Sequence, residues 1–193
     1  MPRLILASQS PRRKALLEQL GLDFQVMPAD IDETVTPGEG PGEFVRRMAR
    51  QKAAAILARE PGALVLGSDT AVVLDDHIMG KPRDQADGAA MLARLSGRSH
   101  QVFSAVALAG PNGVEDRLNI NEVRFRPITP AEAEAYWNTG EPSDKAGGYA
   151  IQGLGAIFVE HLAGSYSGVM GLPLFETAAL LQASNLPILT PQI

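Results

Sequence analysis

No cysteine occurs in the 193 residues, which excludes disulfides, thiolate nucleophiles and thiolate zinc sites. Aromatic residues are few, with one Trp, three Tyr and six Phe, and acids outnumber bases 22 to 17 for a net charge of −5. A nucleic-acid binder needs a basic footprint or a stacking platform, so no nucleic-acid partner is expected. Long apolar runs are missing as well. The run Leu4-Ile5-Leu6-Ala7 is far shorter than the roughly 7–15 residues of a signal h-region, and nothing approaches the ~20 residues of a membrane span. The chain reads as an unexported protein with no membrane partner, compatible with a reducing cytoplasm. Three scattered histidines, His77, His100 and His161, give little support to a zinc site or a Ser-His-Asp triad. Neither a G-x-x-x-x-G-K-[ST] loop nor a G-x-G-x-x-G fingerprint is present, so any nucleotide is held in another way.

What is present is ordinary globular material, 45% hydrophobic and 20% charged. At about 150 residues per domain this predicts a single domain over 1–193. Leu4 to Ala7 has the unalternated pattern of a strand buried on both faces. Ser10 then suits an N-cap and Pro11 a first helical position, with Gly21 as a stop. Phe24 to Met27 predicts a second short strand. Thr34 to Gly42 holds five Gly or Pro residues and predicts a loop. A long helix is expected over Glu43 to Glu60. Val65-Leu66 and Ala71 to Leu74 are strand material, which Gly67-Ser68-Asp69-Thr70 is expected to interrupt. Further on come a helix over Ala86 to Leu95, a hairpin across Pro111-Asn112-Gly113, and a helix opened by the capping box Thr129-Pro130-Ala131-Glu132. A short strand over Ala156 to Val159 and a last helix from Pro173 complete the pattern. Alternating strands and helices with one central hairpin imply an α/β fold with a mixed sheet.

Arg12 and Arg13 fall in the first turn of the opening helix, where the macrodipole disfavours cations. An anion reverses that penalty. Backbone N–H groups, the Ser8 and Ser10 hydroxyls and two guanidinium forks together make a phosphate cradle, a reading favoured over two solvated arginines. In the helix from Glu43, the residues Phe44, Val45, Met48, Ile56 and Arg59 define a face that Lys52 interrupts. Lys52 must either snorkel out along its stem or meet a buried anion, and the sequence does not choose. Arg46, Arg47 and Arg50 look like ordinary surface charges. Asp69, expected at a strand end, is placed where α/β folds put site residues. Lys81 sits between Gly80 and Pro82, where backbone can approach a ligand closely. Carboxylates such as Glu33 and Asp69 suit magnesium or manganese. Acids for a hard cation and bases for phosphates point to chemistry on a phosphoester or phosphoanhydride.

Read in order, several strings resemble the Maf family of nucleoside triphosphate pyrophosphatases. They are Ser8-Gln9-Ser10-Pro11-Arg12-Arg13, Asp32-Glu33, Ala49-Arg50-Gln51-Lys52-Ala53, Gly67-Ser68-Asp69-Thr70, Gly80-Lys81-Pro82, Asp144-Lys145-Ala146-Gly147, Tyr149-Ala150-Ile151-Gln152-Gly153 and Gly171-Leu172-Pro173. The resemblance implies an elongated mixed sheet flanked by helices, two lobes with a cleft between them, as in inosine triphosphate pyrophosphatases. It implies a divalent cation, a homodimer and cytoplasmic residence. By position it makes Asp69 the catalytic carboxylate, Glu33 its partner in metal or water binding, and Lys52, Lys81 and Arg13 phosphate ligands. Arg12, Thr70 and Gln152 match the positions of the branch acting on dTTP and UTP. Gln152 either reads the N3–H and carbonyl edge shared by thymine and uracil or closes a network in a glycine-rich turn. The family is also associated with inhibition of septum formation, so a nucleotide-binding regulator without catalysis is the alternative. Gly168 stands where Asn or Ala is more usual in the family, a departure that touches only the local turn.

Overall fold

The structure, a computed structural model, describes residues 3–189. Its elements in chain order are β1 (Leu4–Leu6), α1 (Pro11–Glu18), β2 (Gln25–Val26), α2 (Pro41–Leu57), β3 (Leu64–Leu74), β4 (His77–Met79) and α3 (Gln85–Leu95). They continue as β5 (Ser99–Gly110), β6 (Gly113–Phe125), α4 (Pro130–Trp137), β7 (Val159–Ala163), α5 (Tyr166–Met170) and α6 (Leu174–Ala183). The expected α/β class is what is found, a mixed seven-stranded sheet in the order β2-β1-β3-β5-β6-β7 with β4 beside β3. Only β1 pairs in parallel, with β2 and β3.

Several boundaries follow the local chemistry read from the sequence. Ser10 caps α1, its hydroxyl accepting from the Arg13 N–H at 3.4 Å, and Pro11 takes the position that lacks an N–H partner in any case. Thr129 and Glu132 close a reciprocal box at α4. Asp75 and Asp76 turn β3 into β4 with positive φ at both, 51° and 62°.

Three expectations are corrected. Gly67 to Thr70 does not interrupt a strand: β3 runs unbroken over eleven residues, because β5 supplies a full antiparallel ladder from Val65↔Ala109 to Val73↔Gln101. The helix expected from Glu43 starts at Pro41 and ends at Leu57. Pro41 is its first residue and the Glu43 carboxylate accepts from the Gly40 N–H, while Arg59 lies beyond its end, exposed. Residues 154–158 form a 3-10 turn, and the strand follows at Val159, because the Glu141 carboxylate takes the N–H groups of Leu154 and Gly155 at 2.9 and 3.0 Å. The short helix α5 was not foreseen.

Strand alternation sorts the core. Odd residues of β3, Val65, Ala71 and Val73, pack with α2 residues such as Val45, Met48, Ala49 and Ile56. Even residues face the other way and meet two separate groups. Leu64 and Leu66 pack with α1 and α6 through Leu16, Leu17, Leu180 and Leu181, whereas Val72 and Leu74 pack with Leu92, Leu95, Tyr136, Tyr149 and Phe158. These are the two lobes. Between them β3 is paired on one side only. Its other edge meets β1 at Leu64–Leu66 and β4 at Val72–Leu74, and Gly67 to Ala71 have no strand neighbour there. Asp69 to Ala71 of that notch form the floor of the cleft.

Candidate active site

The cleft holds about 1070 Å³ and every residue singled out for substrate or metal lines it: Ser8, Ser10, Arg12, Arg13, Glu33, Lys52, Asp69, Thr70, Lys81 and Gln152. Two segments of distant sequence converge at the notch. The turn after β1 brings Ser8 alongside, since the Ala7 N–H continues the ladder to the Leu66 carbonyl at 2.8 Å. α2 crosses the odd face of β3 so closely that a Cβ on Gly67 would collide with the Ala49 carbonyl and lie 2.8 Å from Ala53 N. The glycine read as a strand breaker is therefore a seat for the helix.

The choice left open for Lys52 is decided for the buried anion. Its Nζ lies 2.7 Å from Asp69 Oδ1 and 2.7 Å from Glu33 Oε1, and the residue is 7% exposed. Asp69 belongs to the odd face of β3, so it points at α2 for the same reason that Val65 and Val73 do. Glu33 stands at the apex of a turn in which Asp32 Oδ1 accepts from the Thr34 N–H and hydroxyl at 2.9 and 2.6 Å. Partial burial pushes the Glu33 carboxyl up, but the Lys52 hydrogen bond and the fields of Lys52, Lys81 and Arg13 outweigh it and hold the group below the ordinary carboxylate value. Two carboxylates meeting at one cation position fit a hard divalent ion that takes its remaining oxygens from phosphates and water. Among the described residues no group of three or more His, Asp and Glu side chains forms a ready-made cage.

The even face of β3 carries a second arrangement. The Gly171 carbonyl accepts from Arg13 Nε at 2.8 Å and from the Ser68 hydroxyl at 2.9 Å. Arg13 Nη2 donates to Thr70 Oγ1 at 3.3 Å, and Thr70 shares a 2.9 Å hydrogen bond with Ser104. Burial pulls the Arg13 guanidinium below its usual value, opposed chiefly by Asp69. Burial also lowers Arg12, opposed by Asp144. Arg12 Nε reaches the Met170 carbonyl at 3.4 Å. The two arginines at the positive end of α1 are thus held by carbonyls from the end of α5, with their charge turned to the cleft. Lys81 and Gln152 are exposed on its walls, and among the described residues Gln152 makes no side-chain hydrogen bond.

Ser68 and Gly171 belong to strings that carry the family resemblance but have no role assigned from the sequence, and Ser104 is marked only by its position facing the even side of β3. Asp144 and Lys145, which pair with each other, also line the cleft. Gly168 proves more than a turn variant: a Cβ there would collide with Asn119 Oδ1, and its carbonyl accepts from Ser104 at 2.6 Å. Two histidines, His77 and His161, are exposed outside the cleft. His100 is buried against Phe125, bonded to the Tyr149 hydroxyl at 2.8 Å, and burial drops it to about 4.

Residues 3–184 match the family model described as Maf-like protein. The chain is 52% identical over 189 residues to a dTTP/UTP pyrophosphatase of Saccharophagus degradans, covering 96% of this chain and 90% of that protein. It is 54% identical over 191 residues to one of Anaeromyxobacter dehalogenans, covering 97% and 96%. A solved structure of a nucleoside-triphosphatase, a dITP/XTP pyrophosphatase from Mycobacterium abscessus, aligns with a TM-score of 0.45 at 17% identity, covering 96% of this chain and all of that one.

Proposed function

The chain belongs to the Maf family, and from that premise we propose that it hydrolyses dTTP and UTP to the nucleoside monophosphate and pyrophosphate. The observation that carries the reading is the buried Lys52 held between Asp69 and Glu33 at 2.7 Å from each, at the floor of a cleft whose other wall presents Arg12 and Arg13. Such a site offers a proton acceptor beside a concentration of cations. In the reaction, water attacks the α-phosphorus, the bond from that phosphorus to the oxygen bridging to the β-phosphate breaks, and pyrophosphate leaves with the bonding pair. Asp69 takes the proton of the attacking water. Lys52, Lys81 and Arg13 offset the charge that develops on the departing phosphates. Ser8 and Ser10, with the first N–H groups of α1, hold phosphate oxygens. Glu33 and Asp69 would hold magnesium or manganese, which supplies Lewis-acid polarisation of the phosphoryl group and acidifies water. Among the described residues no helix is long and apolar enough to cross a membrane.

Base selectivity is assigned to Gln152 with Arg12 and Thr70. A free side-chain amide on the cleft wall offers a donor and an acceptor, the pair required by the N3–H and adjacent carbonyl of thymine and uracil. A base with the wrong pattern leaves those groups unpaired, and such sites discriminate strongly. The test is pyrophosphate release across the common triphosphates with magnesium or manganese, repeated with Gln152→Ala. Preference for dTTP and UTP in the parent and its loss in the variant are expected. A purine preference, or unchanged discrimination in the variant, refutes the role of Gln152. Nucleotide binding without turnover would replace hydrolysis by a sensor.

A further inference from the structure

The loop from Thr34 to Glu39 joins Glu33 to the start of α2; Thr34 to Gly38 are exposed, whereas the Glu39 side chain is largely buried. Pro37 and Gly38 stand at its tip, with Gly38 at φ +81°. One side chain of α2 holds it. Arg47 Nε donates to Glu39 Oε1 at 2.6 Å, and Nη2 donates to Glu39 Oε2 at 2.6 Å and to the Thr34 carbonyl at 3.0 Å. Glu39 Oε2 also accepts from the Thr36 N–H at 3.1 Å. The guanidinium lies over the Phe44 ring, 5.6 Å from its centre, so its fork is fixed by stacking as well as by the carboxylate. Arg47 itself does not line the cleft.

We propose that Arg47 and Glu39 are positioning residues for Glu33: the guanidinium fork clamps the backbone immediately after Glu33 and thereby sets that carboxylate against Lys52 and Asp69. The inference rests on the role given to Glu33 above. Arg47 and Lys52 stand five residues apart on one helix, about 7.5 Å along its axis. A single rigid element therefore fixes both the Thr34 carbonyl and the Glu33 carboxylate. Without the clamp, a loop with Pro37 and Gly38 at its tip is tied only at its ends, and Glu33 loses its fixed distance from Asp69. Displacements near 1 Å at a reacting centre cost up to roughly 10²-fold in rate. Lysine cannot reproduce the fork, since an ammonium is a point charge without bidentate geometry.

The test uses Arg47→Ala, Arg47→Lys and Glu39→Gln, each alone and combined with Glu33→Gln. Readouts are kcat/KM for dTTP, the magnesium concentration giving half-maximal rate, Tm, and amide hydrogen exchange at Thr36. Arg47→Ala is expected to lower kcat/KM by roughly 10- to 100-fold, to raise the magnesium requirement and to release exchange at Thr36, with Arg47→Lys recovering part of the loss. Glu39→Gln, which keeps one acceptor oxygen but loses the charge, is expected to move the same readouts less. In the Glu33→Gln background, loss of Arg47 is expected to add little, since both act on one carboxylate. Equal losses from Arg47→Ala in both backgrounds, or a normal rate with the loop released, overturn the proposal. A normal rate in Glu33→Gln overturns the role of Glu33 itself, whereas an impaired Glu33→Gln beside a normal Arg47→Ala overturns only the clamp.

Discussion

Replacing Lys52 by alanine removes the one cation among the described residues that touches both site carboxylates. The Lys52 and Asp69 side chains are 9% and 11% exposed, so this pair is effectively buried, and losing one partner of such a pair costs about 3–5 kcal/mol. The contact with Glu33 adds little, because that side chain is 54% exposed and water screens it, leaving ~0–1 kcal/mol. Asp69 opens onto the cleft and can be rehydrated there, which places the loss at the low end, about 3 kcal/mol. For a chain of this size each kcal/mol moves Tm by roughly 2–4 °C, so the variant should melt ~6–12 °C below the parent. Turnover should fall by about 10²-fold or more as the charge opposite the leaving phosphates disappears. Without the ammonium, Asp69 and Glu33 face each other with only the fields of Arg13 and Lys81 to offset them. Magnesium at about 100 times its dissociation constant restores ~2.7 kcal/mol to any state it binds selectively, and it should raise the variant's Tm more than the parent's. Thermal melts with and without magnesium, beside pyrophosphate release, provide the assay. A variant that melts within about 2 °C of the parent and responds to magnesium no more than the parent does refutes this reasoning.

Asp69→Asn should keep the fold at a lowered Tm, since the amide oxygen still accepts from Lys52 but without the charge, and should slow pyrophosphate release by about 10²-fold or more; near-normal turnover would move the proton acceptor elsewhere. Gly67→Ala should drive α2 off β3, at a cost of about 1–3 kcal/mol or more, seen as a lowered Tm, and an unshifted Tm would contradict the close approach at Ala49. His100 sits near 4 in the fold against about 6.5 unfolded. Between those values the unfolded chain binds the extra proton, so stability is full above pH ~6.5 and falls by up to about 3 kcal/mol as pH drops to about 4. His100→Gln should flatten melting temperature across that window, and an unchanged slope would assign the acid sensitivity to other groups.

Local chemistry was legible wherever a few neighbouring residues decide the outcome. Ser10 with Pro11, and Thr129 with Glu132, fix helix starts by satisfying N–H groups within one turn, and both starts are where the sequence puts them. Gly67 to Thr70 read as an interruption because Gly and Asp are poor strand formers alone, while strand formation in a sheet is set largely by neighbours, here the nine-residue register with β5. The same limit applies to residues 154–158, whose turn is imposed by Glu141 from thirteen residues away. In the site, residue identity was readable and pairing was not. Lys52 stood out as a charge on an apolar face, yet its anions come from β3 and from the loop before α2. Arg47 looked like any surface arginine because its partner, Glu39, and the Thr34 carbonyl are brought to it by the fold of a loop.

Parallel pairing with β1 fixes which backbone groups of β3 face the notch. Leu64 donates to the Arg3 carbonyl and the Leu66 carbonyl accepts from Ala7, so by alternation the N–H and C=O of Ser68 and Thr70 also point to that side. A sheet edge of this kind is ordinarily a hazard, since it offers unpaired groups to strands of other chains and invites aggregation. Here the bare stretch is five residues, about 17 Å at 3.3 Å per residue, closed at one end by β1 and at the other by β4. An intruding strand would have to thread between them. Ser68 is fully buried and the cleft reaches only Asp69 to Ala71 of the five, so the gap leaves the edge at Thr70 to a small polar molecule while denying the whole stretch to another polypeptide.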